Sequence, residues 1–488
     1  MTKQTTGIGA AVPRREDRRF LTGNSEFTDD IKVANVLSAA VLRAPLPHGE
    51  IKTIDISAAL SVPGVHLILT AKDLEGEITG PIPSLSRVPP FDIGRLDGSD
   101  AADAPQYPLA RGRVRYTGEP VAFVVADTFL QAQDAAELIN VDYRPLDAIM
   151  EVDDALSPNA EKIWPDAPGN ISFDWATGDE AATEAAFDAA DHIVGLNLKN
   201  NRVVINFMEP RSAVASFDSD SGRLTLQAGC QSAHGMQASL MELLDVEADK
   251  LHVIAPDTGG GFGARSPVYP EFIVTLIAAR KLSRPVKWTS TRSEAFLTDY
   301  QARDHQFYGE LALNNRGCFL GLRVRADWRH GAYLPGRCIW IMAQYLSQIL
   351  GGTYRMPAAH LYLRGIVTNT TPMAAYRGIG RLEANYILER LIDQAAHELG
   401  LDAVEIRRMN LLRAEDLPWQ TPGGALITSG EFLDNLDTAL AAAGWEDINK
   451  RRNQAMNHGR LYGVGLAMYA ENDGSTPTEF AEVAVSGD

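Results

Sequence analysis

The chain has 488 residues, of which 45% are hydrophobic and 22% charged, and carries a formal net charge of −18. That acidity argues against a nucleic-acid or anionic-membrane partner, because binding phosphate surfaces needs a basic face. No uncharged apolar run reaches about 18 residues, so no membrane-spanning helix is expected, and Met1–Gly23 lacks the apolar core of a secretory signal. Only Cys230, Cys318 and Cys338 are present, far apart and outside C-x-x-C spacing. They argue against disulfides and against a cysteine-bound iron–sulfur cluster on this chain, and point to a reducing cytoplasm.

The length suggests roughly three domains. Residues 36–45 and 65–70 read as strands, and Val121–Ala126 as a buried one. Asp127 is placed to cap a helix running to about Leu138, and Val141–Tyr143 adds a further strand. Residues 1–150 thus read as a small α/β domain, with a linker over 151–170. Beyond it come strands near 211–217 and 223–228, and a helix near 232–244. Leu251–Ala255 leads into Gly259-Gly260-Gly261-Phe262-Gly263, followed by a helix at 270–282 and a strand at 285–291. Leu388, Leu391, Ile392, Ala395 and Leu399 recur at helical spacing, and Gly400 supplies the left-handed stop. Asp402 and Glu405 read as a capping box for a short helix ending near Leu412. The last residues, Glu479–Val485 followed by Ser486-Gly487-Asp488, read as half of a hairpin.

Four glycines in five residues fill no core; they suit a backbone that must adopt open dihedrals or approach something closely. Backbone N–H groups presented in this way suit a negatively charged ligand. Gly259, Gly261 and Ala264 satisfy the dinucleotide pattern G-x-G-x-x-G/A. Pro267 and Pro270 nevertheless delay the following helix, and the first acidic residue after the second strand is Glu294, about 30 positions on rather than the usual ~20. A phosphate-binding G-x-x-x-x-G-K-[ST] loop is absent from the sequence. A tight turn between strand and helix remains open on this loop alone.

Three segments in order resemble the molybdopterin-binding large subunit of the xanthine dehydrogenase/aldehyde oxidase family, especially its carbon-monoxide-dehydrogenase-like bacterial branch. They are Cys230-Gln231-Ser232-Ala233-His234, the glycine loop, and Ala374-Ala375-Tyr376-Arg377-Gly378-Ile379-Gly380-Arg381-Leu382-Glu383-Ala384. Arg407-Arg408-Met409-Asn410-Leu411 fits the family's R-R-x-N-L ending, and Tyr116–Ala126 its Y-x-G-E-P-V-A segment. The resemblance implies an α+β fold. Residues 1–150 would form an α/β-hammerhead domain, 171–445 the first half of the molybdopterin-binding domain, and 446–488 the start of a second half that the chain does not complete.

It further implies oxidative hydroxylation of an electron-poor carbon on a molybdenum–pyranopterin, in its plain or cytosine dinucleotide form. Water would be the oxygen source, with electrons passing to a 2Fe-2S small subunit and an FAD-binding medium subunit. Gln231 and the backbone of Gly260, Gly261, Phe262 and Gly263 would contact the cofactor, and no side chain would ligate the metal. Arg377 would face both cofactor and substrate, as a fixed cation able to stabilise a developing oxyanion. The carbon-monoxide enzymes carry a cysteine where Gly378 stands, and some purine oxidisers a glutamate where Arg265-Ser266-Pro267 stands. An aldehyde, ketone-type or N-heteroaromatic substrate is therefore expected. The family's Gly-Glu general base finds no counterpart here; Gly118-Glu119-Pro120 resembles it, but Glu119 reads as structural. The base-bearing half would then belong to a longer form of this chain or to a separate partner chain, and the alternative is a non-catalytic cofactor-binding or assembly protein.

Overall fold

A computed structural model of the chain describes residues 7–84, 93–335, 338–471 and 482–485. Glu479 and Ser486–Asp488, part of the expected terminal hairpin, lie outside the described residues. Helices and strands are mixed throughout, an α+β fold as the sequence implies.

The largest sheet has 7 strands and joins distant parts of the chain. Its order is Leu251–Ile254, Arg223–Ala228, Ser212–Asp218, Val286–Thr289, Leu37–Arg43, Pro120–Ala126 and Val65–Thr70. Leu37–Arg43 pairs in parallel with Val286–Thr289 and antiparallel with Pro120–Ala126, so strands from before and after residue 150 share one ladder. Every residue of Pro120–Ala126 is buried, which explains why that run is apolar without alternation. A second sheet of 5 strands runs Ile171–Gly178, Ala359–Val367, Phe319–Gly331, His305–Leu313 and His192–Asn200. A 3-stranded sheet, Arg113–Val114, Gly49–Asp55 and Asn140–Pro145, lies beside the first.

A long helix packs on each of the two larger sheets. Pro270–Leu282 opens with proline at its first turn, where a missing N–H costs nothing, and nearly all of it is buried against the seven-stranded sheet. Its one buried acid, Glu271, pairs with Arg211 at 2.6 Å and Arg43 at 2.7 Å. Burial opposes ionisation there, yet the two guanidiniums hold the carboxyl down at about 2. Arg381–Leu399 packs across the five-stranded sheet and ends at Gly400 with φ 66°. It begins 7 residues before Leu388, the first residue of the stripe read from the sequence, and Ala384 and Ile387 continue its buried apolar face toward the start.

Local cap readings need two corrections. The helix after Val121–Ala126 spans Phe129–Glu137 and is capped by Thr128, whose side chain accepts the Gln131 N–H, rather than by Asp127. Asp402 does cap Ala403–Asn410 by accepting from Val404 and Glu405 N–H, but its own N–H does not donate to the Glu405 side chain.

Candidate cofactor-binding site

Gln231 follows the strand Arg223–Ala228, and the glycine loop follows its parallel neighbour Leu251–Ile254. Parallel neighbours bring their carboxyl ends to one edge, the usual place for a ligand in such sheets. Ser232 caps the helix Ala233–Leu244 by accepting the Gly235 N–H at 3.0 Å, which fixes Gln231 between strand end and helix start. The third segment, Ala374–Gly380, arrives from the other sheet and leads directly into the helix Arg381–Leu399.

The three segments meet. Gln231 Oε1 accepts the Gly263 N–H at 2.6 Å, and the Phe262 carbonyl accepts the Arg377 N–H at 2.8 Å. A Cβ on Gly261 would lie 2.7 Å from Gln231 Cγ, and one on Gly263 would lie 2.5 Å from the Ala375 carbonyl oxygen. Gly260 and Gly263 have φ of 108° and 102°, and Phe262 between them has φ 50°. Glycine is thus required by both conformation and contact. The Phe262 ring stacks on Phe207 at 6.1 Å and meets Tyr376 edge-on at 6.5 Å.

Among the described residues, the N–H groups of Gly260, Gly261 and Phe262 have no hydrogen-bond partner, nor does the Gln231 Nε2 amide. The Arg377 guanidinium is exposed and equally unpartnered among them. Arg377, Tyr376 and Gly378 line a cavity of about 740 Å³ together with Leu466–Glu471; Gln231 and the glycine loop are not part of its lining. Free amide donors and a free cation are groups that suit an oxygen-rich, negatively charged ligand. No group of three or more His, Cys, Asp or Glu side chains that could hold a metal ion occurs among the described residues.

Two braces escaped the sequence reading. Glu209 accepts the Gly259 N–H at 2.8 Å, the Thr28 N–H at 3.3 Å and Arg265 Nη1 at 2.6 Å. Arg265, two residues after the glycine loop, is 2% exposed and also donates to the Glu209 carbonyl, so Glu209 ties it to the start of the loop. On the other side, Arg303 donates to the Arg377 carbonyl at 2.6 Å and to Glu383 at 3.2 Å. Glu383 in turn accepts the Gly380 N–H at 2.6 Å; burial pushes its carboxyl above the ordinary range, against the pull of Arg303. Nothing in spacing or composition marks Glu209 or Arg303, since their partners lie far away in sequence. Glu119 is 4% exposed and bonds to the Tyr333 hydroxyl and, at 2.6 Å, to the Arg115 N–H, a packing role as the sequence suggested.

Residues 163–411 match the molybdopterin cofactor-binding domain, and residues 22–147 the aldehyde oxidase and xanthine dehydrogenase a/b hammerhead domain. The carbon monoxide dehydrogenase large chain of Hydrogenophaga pseudoflava is 34% identical, over 98% of this chain and 60% of that protein. The nicotine 6-hydroxylase large subunit of Paenarthrobacter nicotinovorans is 32% identical, over 96% of this chain and 56% of that one. The crystal structure of quinoline 2-oxidoreductase from Pseudomonas putida 86 has a TM-score of 0.83 at 30% identity, covering 93% of this chain and 56% of that one. The chain therefore spans less than two thirds of the length of these relatives. It belongs to the xanthine dehydrogenase/aldehyde oxidase family, on the carbon-monoxide-dehydrogenase-like branch of its molybdopterin-binding large subunits.

Proposed function

We propose that this chain forms the first part of a molybdenum hydroxylase large subunit that hydroxylates an aldehyde, ketone-type or N-heteroaromatic carbon with oxygen from water. One observation supports this above the rest: three unpartnered loop amides and the Gln231 amide lie together at one sheet edge, and the segment that carries the free Arg377 guanidinium is bonded to that loop through its backbone. Their donor chemistry fits a pyranopterin and its phosphate. When bound, that cofactor supplies the two-electron oxidant. Gly260, Gly261 and Phe262 N–H groups would hold its oxygens, and Gln231 Nε2 would orient it while Oε1 stays anchored on Gly263. Arg377 would stabilise negative charge developing on a substrate oxygen.

Relatives named for nicotine and quinoline favour an N-heteroaromatic ring, and Gly378 disfavours carbon monoxide. The general base would come from the remaining part of the subunit, on the same or a separate chain, and the electrons would leave through FAD and 2Fe-2S subunits. Names such as "large chain" and "large subunit" accord with such an assembly. The test is dye reduction by the assembled complex with aldehydes and N-heteroaromatics. Arg377→Met should depress turnover about 10²–10³-fold with an unchanged melting temperature. A collapse in melting temperature would make Arg377 structural instead. Molybdenum retention without turnover on any of these substrates would favour a cofactor-binding or assembly protein.

A further inference from the structure

Arg303 and Asp304 both occupy the left-handed region, with φ of 69° and 63°. Consecutive non-glycine residues there are strained, and such strain survives only where surrounding structure over-determines it. Here it does. The Asp304 carboxylate takes Arg202 Nε at 2.6 Å and Arg329 Nε and Nη2 at 2.8 and 2.9 Å. The Asp304 carbonyl accepts the Arg329 N–H at 3.0 Å, and the Arg303 carbonyl accepts the Trp328 indole N–H at 3.1 Å. Arg303 and Asp304 are 8% and 3% exposed.

The strained turn aims one side chain. The Arg303 guanidinium reaches the Arg377 carbonyl, bonds to Glu383 and lies 4.8 Å from the centre of the Tyr376 ring. The Arg377 peptide is thus held at both ends, its N–H by Phe262 and its C=O by Arg303. The Arg377 side chain has no tether among the described residues, so what the protein fixes of its placement is the backbone from which it departs. We propose that Arg303 is a positioning residue that fixes where the Arg377 guanidinium points. The proposal rests on Arg377 being the cation that stabilises charge on the substrate oxygen. A planar fork is needed, because one donor must serve the Arg377 carbonyl while another serves Glu383.

Amide hydrogen exchange on the cofactor-free chain tests the positioning without any turnover. Arg303→Lys and Arg303→Met should speed exchange at the Arg377 and Ile379 amides by about 10–100-fold, as loss of a charge-assisted hydrogen bond implies. Protection across the helix Arg381–Leu399 should hold. In the assembled enzyme, Arg303→Met should lower kcat about 10²-fold with a smaller change in KM, and Arg303→Lys should restore part of it. In an Arg377→Met background the same change should add little. Unchanged exchange at Arg377 overturns the proposal, as does a global loss of protection in both variants. Effects of Arg303 and Arg377 that multiply in full also overturn it, while leaving the role of Arg377 intact. Turnover indifferent to Arg377→Met defeats that role itself, and the catalytic contribution of Arg303 with it.

Discussion

At Gly263 a dihedral and a contact impose the same residue for separate reasons. Its φ of 102° lies in the left-handed half of the map, and a Cβ there would press on the Ala375 carbonyl oxygen at 2.5 Å. Gly76 separates the two effects, since its φ is 78° but a Cβ would meet nothing within 4 Å. Gly76→Ala should therefore cost only the left-handed strain, about 1–2 kcal/mol. Gly263→Ala should cost about 3 kcal/mol, strain plus the overpacking of a close backbone approach. Urea denaturation of the two variants checks this; equal losses would mean that the glycine loop and Ala374–Gly380 do not touch as described. The glycine loop was legible because four glycines in five residues is unusual, and Arg377 only through the family resemblance of its segment. Glu209 and Arg303 were not, because an acid and an arginine are ordinary residues whose meaning lies in partners 56 and 80 positions away. A positive φ at a non-glycine residue has no sequence signal either.

Elements with strong local signals were readable and their couplings were not. Val121–Ala126 and Pro270–Leu282 announce themselves by unbroken apolar runs and a leading proline. That they belong to one sheet system depends on Arg43, Arg211, Glu271 and Asp299, which tie strand, helix and loop together through buried ion pairs. The stripe Leu388–Leu399 made only the later part of the helix Arg381–Leu399 legible, although Ala384 and Ile387 extend its buried apolar face and Glu383 is buried beside them for hydrogen bonding. Glu119, at the head of Pro120–Ala126, makes a pH-dependent element. Burial raises its carboxyl from 4.5 to about 7, although the Tyr333 hydroxyl and the Arg115 N–H favour the charged form. The folded chain then holds that proton more tightly than the unfolded one. Its stabilising contribution is full below about pH 4.5 and is lost as pH rises through about 7. Glu119→Gln removes that dependence. The stability difference between wild type and variant should therefore move in the variant's favour by up to about 3 kcal/mol between pH 4.5 and 7. Urea titrations across that range read it, and a pH-independent difference would refute the raised affinity.

At the scale of the molecule, three separate sequence segments, carried by two sheets, are hydrogen-bonded to one another. The seven-stranded sheet carries Gln231 and the glycine loop on neighbouring strand ends. The helix that covers the five-stranded sheet delivers Arg377 to them. The family resemblance named these segments, but sequence could not show that Gln231 spends its oxygen on Gly263 and keeps its amide free. It could not show either that the large sheet draws strands from both sides of residue 150. The central claim is that these segments hold a molybdenum–pyranopterin. Its most direct test is the molybdenum and pterin content of the assembled complex, for wild type and for Gln231→Ala. Near-stoichiometric metal and pterin in wild type, with a marked loss in Gln231→Ala at an unchanged melting temperature, is the predicted result. A wild-type complex that holds no molybdenum and instead binds a nicotinamide dinucleotide stoichiometrically would contradict it.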